Sequence, residues 1–309
     1  MTESRVFNLV RSFPLIRSVG KSTPQYHLGG VWENRLGLQV YRTLAKNLTW
    51  RVRKRSVDAD LKGFAEILDR DGILVLHNFL PADEFLAVSA EYHLAMDGRE
   101  LEAYHGAGNA KLFRLQIPVS EASSNFRQTI RSFGENDSLD RLASRVINRS
   151  IRFRPNIFLD KYQAAAGSTI DNDIENILHA DLHTPTVKMF FYLNKVDETN
   201  GPFVYAKGSH KLNVYRLLHE FDLSVRQAKL KKGLSVRSTL LEERGGETRN
   251  VIRPWFLKKM GVKETKLCVE PNTLVIANNM GFHRRGEFTS ETPREALLIN
   301  YRNEERMFV

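Results

Sequence analysis

A histidine and an aspartate two residues apart, His179 and Asp181, open a long β-type stretch in the middle of the chain. Successive side chains of a strand point to opposite faces, so residues spaced by two can hold one ion together. A second histidine, His283, follows an apolar run at 274–277. Two imidazoles and one carboxylate form the ligand set that holds non-haem Fe(II) and leaves other coordination positions open. We therefore predict that His179, Asp181 and His283 bind a metal and carry the catalysis.

Two other histidines compete for the same role. His183 would share the face of the ligand pair if the strand continued, but Pro185 two residues later predicts a bend. His105 lies in a glycine-containing loop at 104–111, where a lone histidine is more often simply exposed. Both are weaker candidates than the three residues above.

Strands must position the ligand pair, and the hydrophobic pattern of the chain predicts both strands and helices. Helices are predicted over 58–70 and from Pro81 onward, with a polar helix near 123–148. Strands are predicted at 73–79, 112–119, 151–165, 186–194 and 274–277.

The sequence around the pair is more specific than the pair itself. Four segments occur in order: DRDGILVLHNFLPADEF (69–85), HAD (179–181), NGPFVYAKGSHK (200–211) and HRRGEFTSETPREALLINYR (283–302). Together they resemble the phytanoyl-CoA dioxygenase family of Fe(II)/2-oxoglutarate-dependent oxygenases, over roughly residues 60–302. The resemblance implies a mainly β fold with flanking helices and a double-stranded β-helix core of the jelly-roll or cupin type. It also implies Fe(II), 2-oxoglutarate and O2 as cofactor and cosubstrates, and a structural role for His210.

The resemblance also points to an arginine for the distal carboxylate of 2-oxoglutarate. Arg294 lies eleven residues after His283, which is the spacing of the family, and it begins the apolar stretch EALLINY. A planar guanidinium matches a carboxylate with two parallel hydrogen bonds. Arg302 is the alternative, whereas Arg284 and Arg285 are expected to point outward or toward substrate.

Three further residues are candidates for the cosubstrate pocket. Phe190 occupies a position that resembles the family's aromatic residue beside 2-oxoglutarate. Tyr162 and Lys161 end a predicted strand that leads toward the ligand pair, and either could reach the cosubstrate.

The resemblance implies a dioxygenase that hydroxylates an aliphatic carbon and releases succinate and CO2. Asp181 favours hydroxylation, because related halogenases replace this carboxylate to make room for chloride. The expected substrate is a small molecule or a lipid or acyl-type compound, with an anionic group as one option, and the motifs do not choose among these. A catalytically inactive jelly-roll binding module and a non-redox cupin-type metal enzyme are the alternatives.

Composition limits the organisation of the chain. Its 309 residues, 42% of them hydrophobic, are enough for one large core. The single cysteine, Cys268, excludes an intramolecular disulfide and suits a reducing compartment. Neither a secretory signal nor a membrane-spanning run is found, so a cytoplasmic location is expected.

Positive charge is concentrated at the start of the chain. Residues 1–56 hold eleven Lys or Arg and two Glu, and thus nine of the ten net positive charges. Leu36, Val40, Leu44 and Leu48 recur every four residues and predict a basic amphipathic helix. We treat 1–56 as an N-terminal extension of the catalytic domain at 57–309. Its helix either docks by this stripe onto that domain or contacts an anionic membrane peripherally. No signature of specific nucleic-acid binding accompanies the charge.

A second basic stretch is expected to interrupt the barrel. Residues 213–264 fit no barrel strand and hold twelve Lys or Arg against six Asp or Glu. Long insertions on a rigid scaffold often carry recognition, so we predict a lid-like element. Its candidates for an anionic group are Arg226, Lys229, Lys231 and Lys232.

Overall fold

Two antiparallel β-sheets form the centre of the molecule in a computed structural model. The structure describes residues 29–52, 55–103, 112–122, 126–148, 155–165, 174–181, 185–232 and 250–301. The strands are β1 (Ile73–Leu76), β2 (Glu102–Ala103), β3 (Leu112–Pro118), β4 (Asn156–Ala164), β5 (His179–Ala180), β6 (Val187–Tyr192), β7 (Phe203–Ala206), β8 (Asn250–Val251), β9 (Glu264–Leu267), β10 (Thr273–Asn278), β11 (His283–Arg285) and β12 (Arg294–Tyr301).

The strand order is that of a double-stranded β-helix. The large sheet runs β1-β10-β6-β12-β4-β3-β2 and the small sheet runs β8-β5-β11-β7-β9. Side chains of β6 alternate between two cores, as the period of a strand requires. Met189 and Phe191 join the core beneath the helices, whereas Phe190 and Tyr192 join the core between the sheets. The expected mainly β fold of jelly-roll type is confirmed.

Helices cover the outer face of the large sheet and one end of the barrel. They are α1 (Val31–Arg35), α2 (Leu38–Val52), α3 (Lys62–Asp71), α4 (Ala82–Met96), α5 (Val119–Ala122), α6 (Arg127–Thr129), α7 (Asp137–Ile147), α8 (Val214–Lys231) and α9 (Pro254–Met260). None of the helices among the described residues is long and apolar enough to cross a bilayer.

Two predicted elements differ from the structure. Strand β1 ends at Leu76 rather than at residue 79, because Asn78 adopts a left-handed backbone conformation that cannot continue a strand. The expectation that 213–264 contains no barrel strand is wrong. Strand β8 within it pairs with β5, so that Val251 lies opposite His179. The insertion therefore helps to position the ligand pair.

The N-terminal helices pack on α8 with the face opposite to the one predicted. Leu36, Leu44 and Leu48 of the predicted stripe are exposed, whereas Gln39 and Arg42 are fully buried. The backbone N–H of Gln39 donates to Ser224 Oγ of α8 at 2.8 Å, and its side chain accepts from Arg42 at 2.9 Å. Burial lowers the pKa of Arg42 to about 9, against the opposing charge of Glu220. Docking by the apolar stripe is thus wrong, because a buried polar contact sets the orientation of the helix.

Helix α8 is in turn bonded to the barrel beside β11. Arg216, fully buried, donates from Nε to Glu220 at 2.8 Å and from Nη1 to the carbonyl oxygens of Ser209 and Met280. Its guanidinium also lies 4.5 Å from the centre of the Phe282 ring. These contacts connect the N-terminal helices, α8 and the strand that carries His283. The proposed boundary at residue 56 stays a prediction.

Candidate metal centre

Three side chains converge at one end of the small sheet. Strands β5 and β11 are neighbours, and His179 pairs directly with His283. One potential ligand atom each from His179, Asp181 and His283 lies within 4.8 Å of the others. Nε2 of His179 and Nε2 of His283 lie 3.6 and 3.4 Å from Asp181 Oδ1. Both rings are buried, so the arrangement is fixed by the sheet.

Backbone carbonyls set the tautomer of both histidines. The carbonyl oxygen of Ile177 lies 2.7 Å from His179 Nδ1, and that of Gly281 lies 3.0 Å from His283 Nδ1. A carbonyl only accepts, so each Nδ1 carries the proton and each Nε2 keeps its lone pair for a metal. The donor set fits a divalent transition metal: two neutral imidazoles and one carboxylate oxygen.

Asp181 presents only one of its oxygens to the centre. Its Oδ2 accepts from Lys188 Nζ at 2.8 Å and from Asn279 Nδ2 at 2.7 Å, which leaves Oδ1 facing the histidines. Burial raises the pKa of Asp181, but the charges of Lys188 and His283 outweigh it and hold that pKa well below its usual range. The group is therefore a carboxylate before any metal arrives.

The two histidines respond differently to their surroundings. Burial lowers the pKa of His179, but the hydrogen bond of Asp181 and the charge of Glu175 outweigh it and raise that pKa. Burial dominates at His283 and lowers its pKa. Glu175, whose Oε2 lies 3.7 Å from His179 Nε2, is a second carboxylate at the edge of the site. Sequence reasoning did not identify Glu175, because its spacing from the other site residues is not one that is typical of metal ligands.

Lys188 is a residue of the site that sequence reasoning missed. We predict that Lys188→Met lowers the affinity for Fe(II) by about tenfold or more, as for other groups that orient a metal ligand. Without the ammonium, Asp181 Oδ2 loses one of its two donors, and the carboxylate is free to turn Oδ1 away from the histidines. Anaerobic calorimetric titration with Fe(II) measures this. Lys161→Met, a lysine on the opposite face of the sheet that pairs with Glu295 at 3.1 Å, is the control and should bind Fe(II) normally. Equal affinities in both variants would contradict the role of Lys188.

Arg294 lies on the inner face of the large sheet, beside Tyr162. Arg114, Tyr162 and Arg294 are in register on β3, β4 and β12. The guanidinium carbons of both arginines lie 4.7 Å from the centre of the Tyr162 ring. Arg114 is neutralised by Asp160 at 2.7 Å, whereas Arg294, buried, donates to the carbonyl oxygen of Gly201. The predicted cosubstrate arginine and Tyr162 thus share one pocket.

Arg285 also points into this pocket, so of the two expected orientations, outward or toward substrate, the structure excludes the outward one for this residue. It follows His283 by two residues on β11, which places both on one face, and it is buried. Its guanidinium carbon lies 4.9 Å from the centre of the Tyr162 ring and 5.5 Å from that of Phe288. Arg284 points to the other side and pairs with Glu264 at 2.7 Å. The pocket therefore holds two inward guanidiniums from β11 and β12.

Two aromatic residues of β6 line the space between this pocket and the metal centre. The ring of Phe190 lies 4.9 Å from that of Phe203, which lies 5.5 Å from the ring of His283. Tyr192, which sequence reasoning missed, is fully buried, and its hydroxyl has no hydrogen-bond partner among the described residues. Burial raises its pKa to about 12 against the charge of Arg294. The hydroxyl is thus a protonated donor available to a ligand.

The remaining candidates divide into three groups. His210 is half-buried, with Nε2 3.2 Å from the carbonyl oxygen of Asp69. Arg226 is also buried and pairs with Asp222 at 3.1 Å, so the expectation that it binds an anionic group is wrong. His105, His183 and Arg302 lie outside the described residues, and Lys161 points away from the pocket.

The chain is similar to known proteins. The model of the family described as "Phytanoyl-CoA dioxygenase (PhyH)" matches residues 68–234. No curated protein matches the chain. Among solved structures, the epimerase SnoN in complex with Fe3+, alpha ketoglutarate and nogalamycin RO is 14% identical with a TM-score of 0.49, covering 79% of this chain and 84% of its own. HygX from Streptomyces hygroscopicus with nickel and 2-oxoglutarate bound is 17% identical with a TM-score of 0.48, covering 80% of this chain and 87% of its own.

The family model spans more than half of the chain, and its segment includes the HAD pair, Lys188 and the aromatic residues of β6. The distal elements β11 and β12 then bring His283 and Arg294 to that segment. The protein belongs to the phytanoyl-CoA dioxygenase family.

Proposed function

We propose that this protein is an Fe(II)- and 2-oxoglutarate-dependent oxygenase that hydroxylates an aliphatic carbon of its substrate. The observation that carries the proposal is the convergence of His179, Asp181 and His283, with both Nδ1 atoms and one carboxylate oxygen already bonded elsewhere. Family membership supports the same chemistry. Ferrous iron held there would supply the activation of O2 at the expense of 2-oxoglutarate.

The protein's own residues bind and orient the cosubstrate. Arg294 is the proposed partner of its distal carboxylate, and the Tyr192 hydroxyl is a donor of the kind that such a carboxylate needs. Arg285 adds a second positive charge against the same aromatic rings. Phe190 and Phe203 exclude water between this pocket and His283, which strengthens the electrostatic contacts made there.

The proposed substrate is a small molecule or a lipid or acyl-type compound. Asp181 supports hydroxylation over halogenation, because the third ligand position is filled by a carboxylate. The two alternatives fit the site less well. An inactive binding module would not need three convergent ligands beside two inward guanidiniums, and a non-redox metal enzyme would not need the arginine pocket.

The experiment that tests the function is release of succinate from 2-oxoglutarate. We expect succinate only when Fe(II), O2 and 2-oxoglutarate are all present, at a low uncoupled rate without substrate and faster with a suitable one. Adding metabolite or lipid extracts and searching for a mass gain of one oxygen then identifies the substrate. Activity with Zn(II) and without 2-oxoglutarate would instead favour the non-redox enzyme, and failure to bind either metal or 2-oxoglutarate would favour the inactive module.

A further inference from the structure

An apolar surface lies on the outside of the N-terminal helices and α8. Trp32 of α1 is 72% exposed, and Leu36 and Leu48 are 65% and 64% exposed. Leu44 of α2 and both Leu218 and Phe221 of α8 are also exposed. We call these six residues the helical apolar face. Isolated exposed leucines are ordinary, but a set that follows the faces of adjacent helices marks a surface that something covers.

The six residues lie on or beside three helices that pack together. Helices α1 and α2 both pack on α8, and Gly37 lies directly against the ring of Phe221. Leu36 precedes Gly37 in the chain, and Leu218 lies one turn before Phe221 on α8. Leu44 and Leu48 lie one turn apart on the outer side of α2.

Buried polar contacts within the fold keep the helical apolar face exposed. Turning α2 to bury the leucines would break the contact of Gln39 with Ser224 and expose Arg42 from its fully buried position. Helix α8 is fixed by Arg216, which bonds Glu220 and two backbone carbonyls of the barrel. Breaking such contacts would leave buried donors and acceptors unsatisfied, which opposes this rotation. Both helices thus bury polar side chains and present apolar ones to the outside.

The positive charge of residues 1–56 favours a negatively charged partner for the helical apolar face. We propose that the helical apolar face docks on an anionic lipid surface. Residues 1–56 carry a net charge of +9, and an anionic headgroup layer attracts such a segment while its interface accepts Trp and Leu side chains. A second copy would bring two such segments together and would be repelled. Residues 1–28 hold four Lys or Arg and one Glu, so their composition also favours a negative partner. The proposal does not depend on the oxygenase function.

The test is co-sedimentation of the full chain with vesicles. We expect binding to vesicles of phosphatidylcholine with added phosphatidylserine, little binding to phosphatidylcholine alone, and weakening by salt. Leu36→Asn with Leu48→Asn should reduce binding about tenfold or more, since both contribute apolar area. The matched control is Leu86→Asn with Leu94→Asn on α4, which are 66% and 70% exposed on another part of the surface. The control pair should bind like the unaltered chain.

Trp32 gives a second readout, because its fluorescence shifts to shorter wavelength on entering a lipid interface. Thermal unfolding of both double variants checks that the fold is retained. The proposal is overturned if the unaltered chain does not prefer anionic vesicles or if the control pair loses as much binding. It is also overturned if sedimentation equilibrium shows a dimer that the Leu36 and Leu48 pair dissociates, since the occupant would then be a second copy.

Discussion

Asp181→Ala is expected to lower the affinity for Fe(II) by about 100-fold or more and to abolish succinate release. The carboxylate supplies the negative charge of the centre, between two imidazoles and the Lys188 ammonium. Its removal leaves a metal to bind two neutral ligands beside an uncompensated cation, which Coulomb repulsion opposes. Anaerobic calorimetric titration measures the affinity, and a thermal melt of the metal-free chain reports whether the fold persists.

Glu175→Gln is the matched control for this prediction. Glu175 also places a carboxylate oxygen near His179 Nε2, at 3.7 Å, but it does not belong to the three residues whose ligand atoms converge. We expect this variant, and His183→Ala, to keep Fe(II) affinity near that of the unaltered chain. If Asp181→Ala bound Fe(II) tightly while Glu175→Gln or His183→Ala did not, the assigned ligand set would be wrong.

The metal centre could be predicted from sequence because its two closest ligands are local. His179 and Asp181 are only two residues apart in the chain, and His283 begins β11, which pairs with β5. Lys188 and Asn279 could not be found in this way. They come from β6 and from the end of β10, and they meet only at Asp181 Oδ2. Such a contact depends on the register between sheets, which a single sequence does not encode locally.

The helical apolar face is a case in which the sequence pattern did not predict the orientation of a helix. Periodicity predicted one helix with Leu36, Val40, Leu44 and Leu48 on one side. In the structure α1 ends at Arg35 and α2 begins at Leu38, so that Leu36 lies between them, and Leu44 and Leu48 of α2 face outward. The outcome was set by partners far away in sequence, Ser224 and Glu220, which pair with the polar side of α2. Hydrophobic pattern alone assumes that apolar side chains turn inward, and this assumption fails where a surface serves another purpose.

Arg285 illustrates a third case, in which neighbouring residues have opposite environments. Arg284 and Arg285 are identical in type, yet one pairs with Glu264 on the outside and the other lies against Tyr162 and Phe288. The alternation of β11 relative to His283 separates them, so the residue two positions from an inward ligand should itself be considered inward. Applied to β11, that rule would have assigned Arg285 to the pocket.

Arg294→Ala is expected to weaken 2-oxoglutarate binding by about 2 kcal/mol or more, which is about 30-fold in Kd, while Fe(II) affinity stays nearly unchanged. Arg294 is buried on the inner face of β12, beside Tyr162 and within reach of the same pocket as Arg285. Removing it would leave the distal carboxylate of the cosubstrate buried with one cation fewer. The proposed ligands of the metal lie elsewhere, on β5, just after it and on β11. Calorimetric titration of the Mn(II)-loaded chain with 2-oxoglutarate gives the binding constant without turnover.

Two further variants test whether the effect is specific to Arg294. Arg284→Ala removes an arginine that neighbours the site but points away from it, and it should leave 2-oxoglutarate affinity unchanged. Arg294→Lys keeps the charge and loses the planar fork, so it should recover only part of the affinity. An Arg294→Ala chain that binds 2-oxoglutarate as tightly as the unaltered one would move the role to Arg285 or Arg302. A parallel loss of Fe(II) affinity would instead show that Arg294 supports the barrel rather than the cosubstrate.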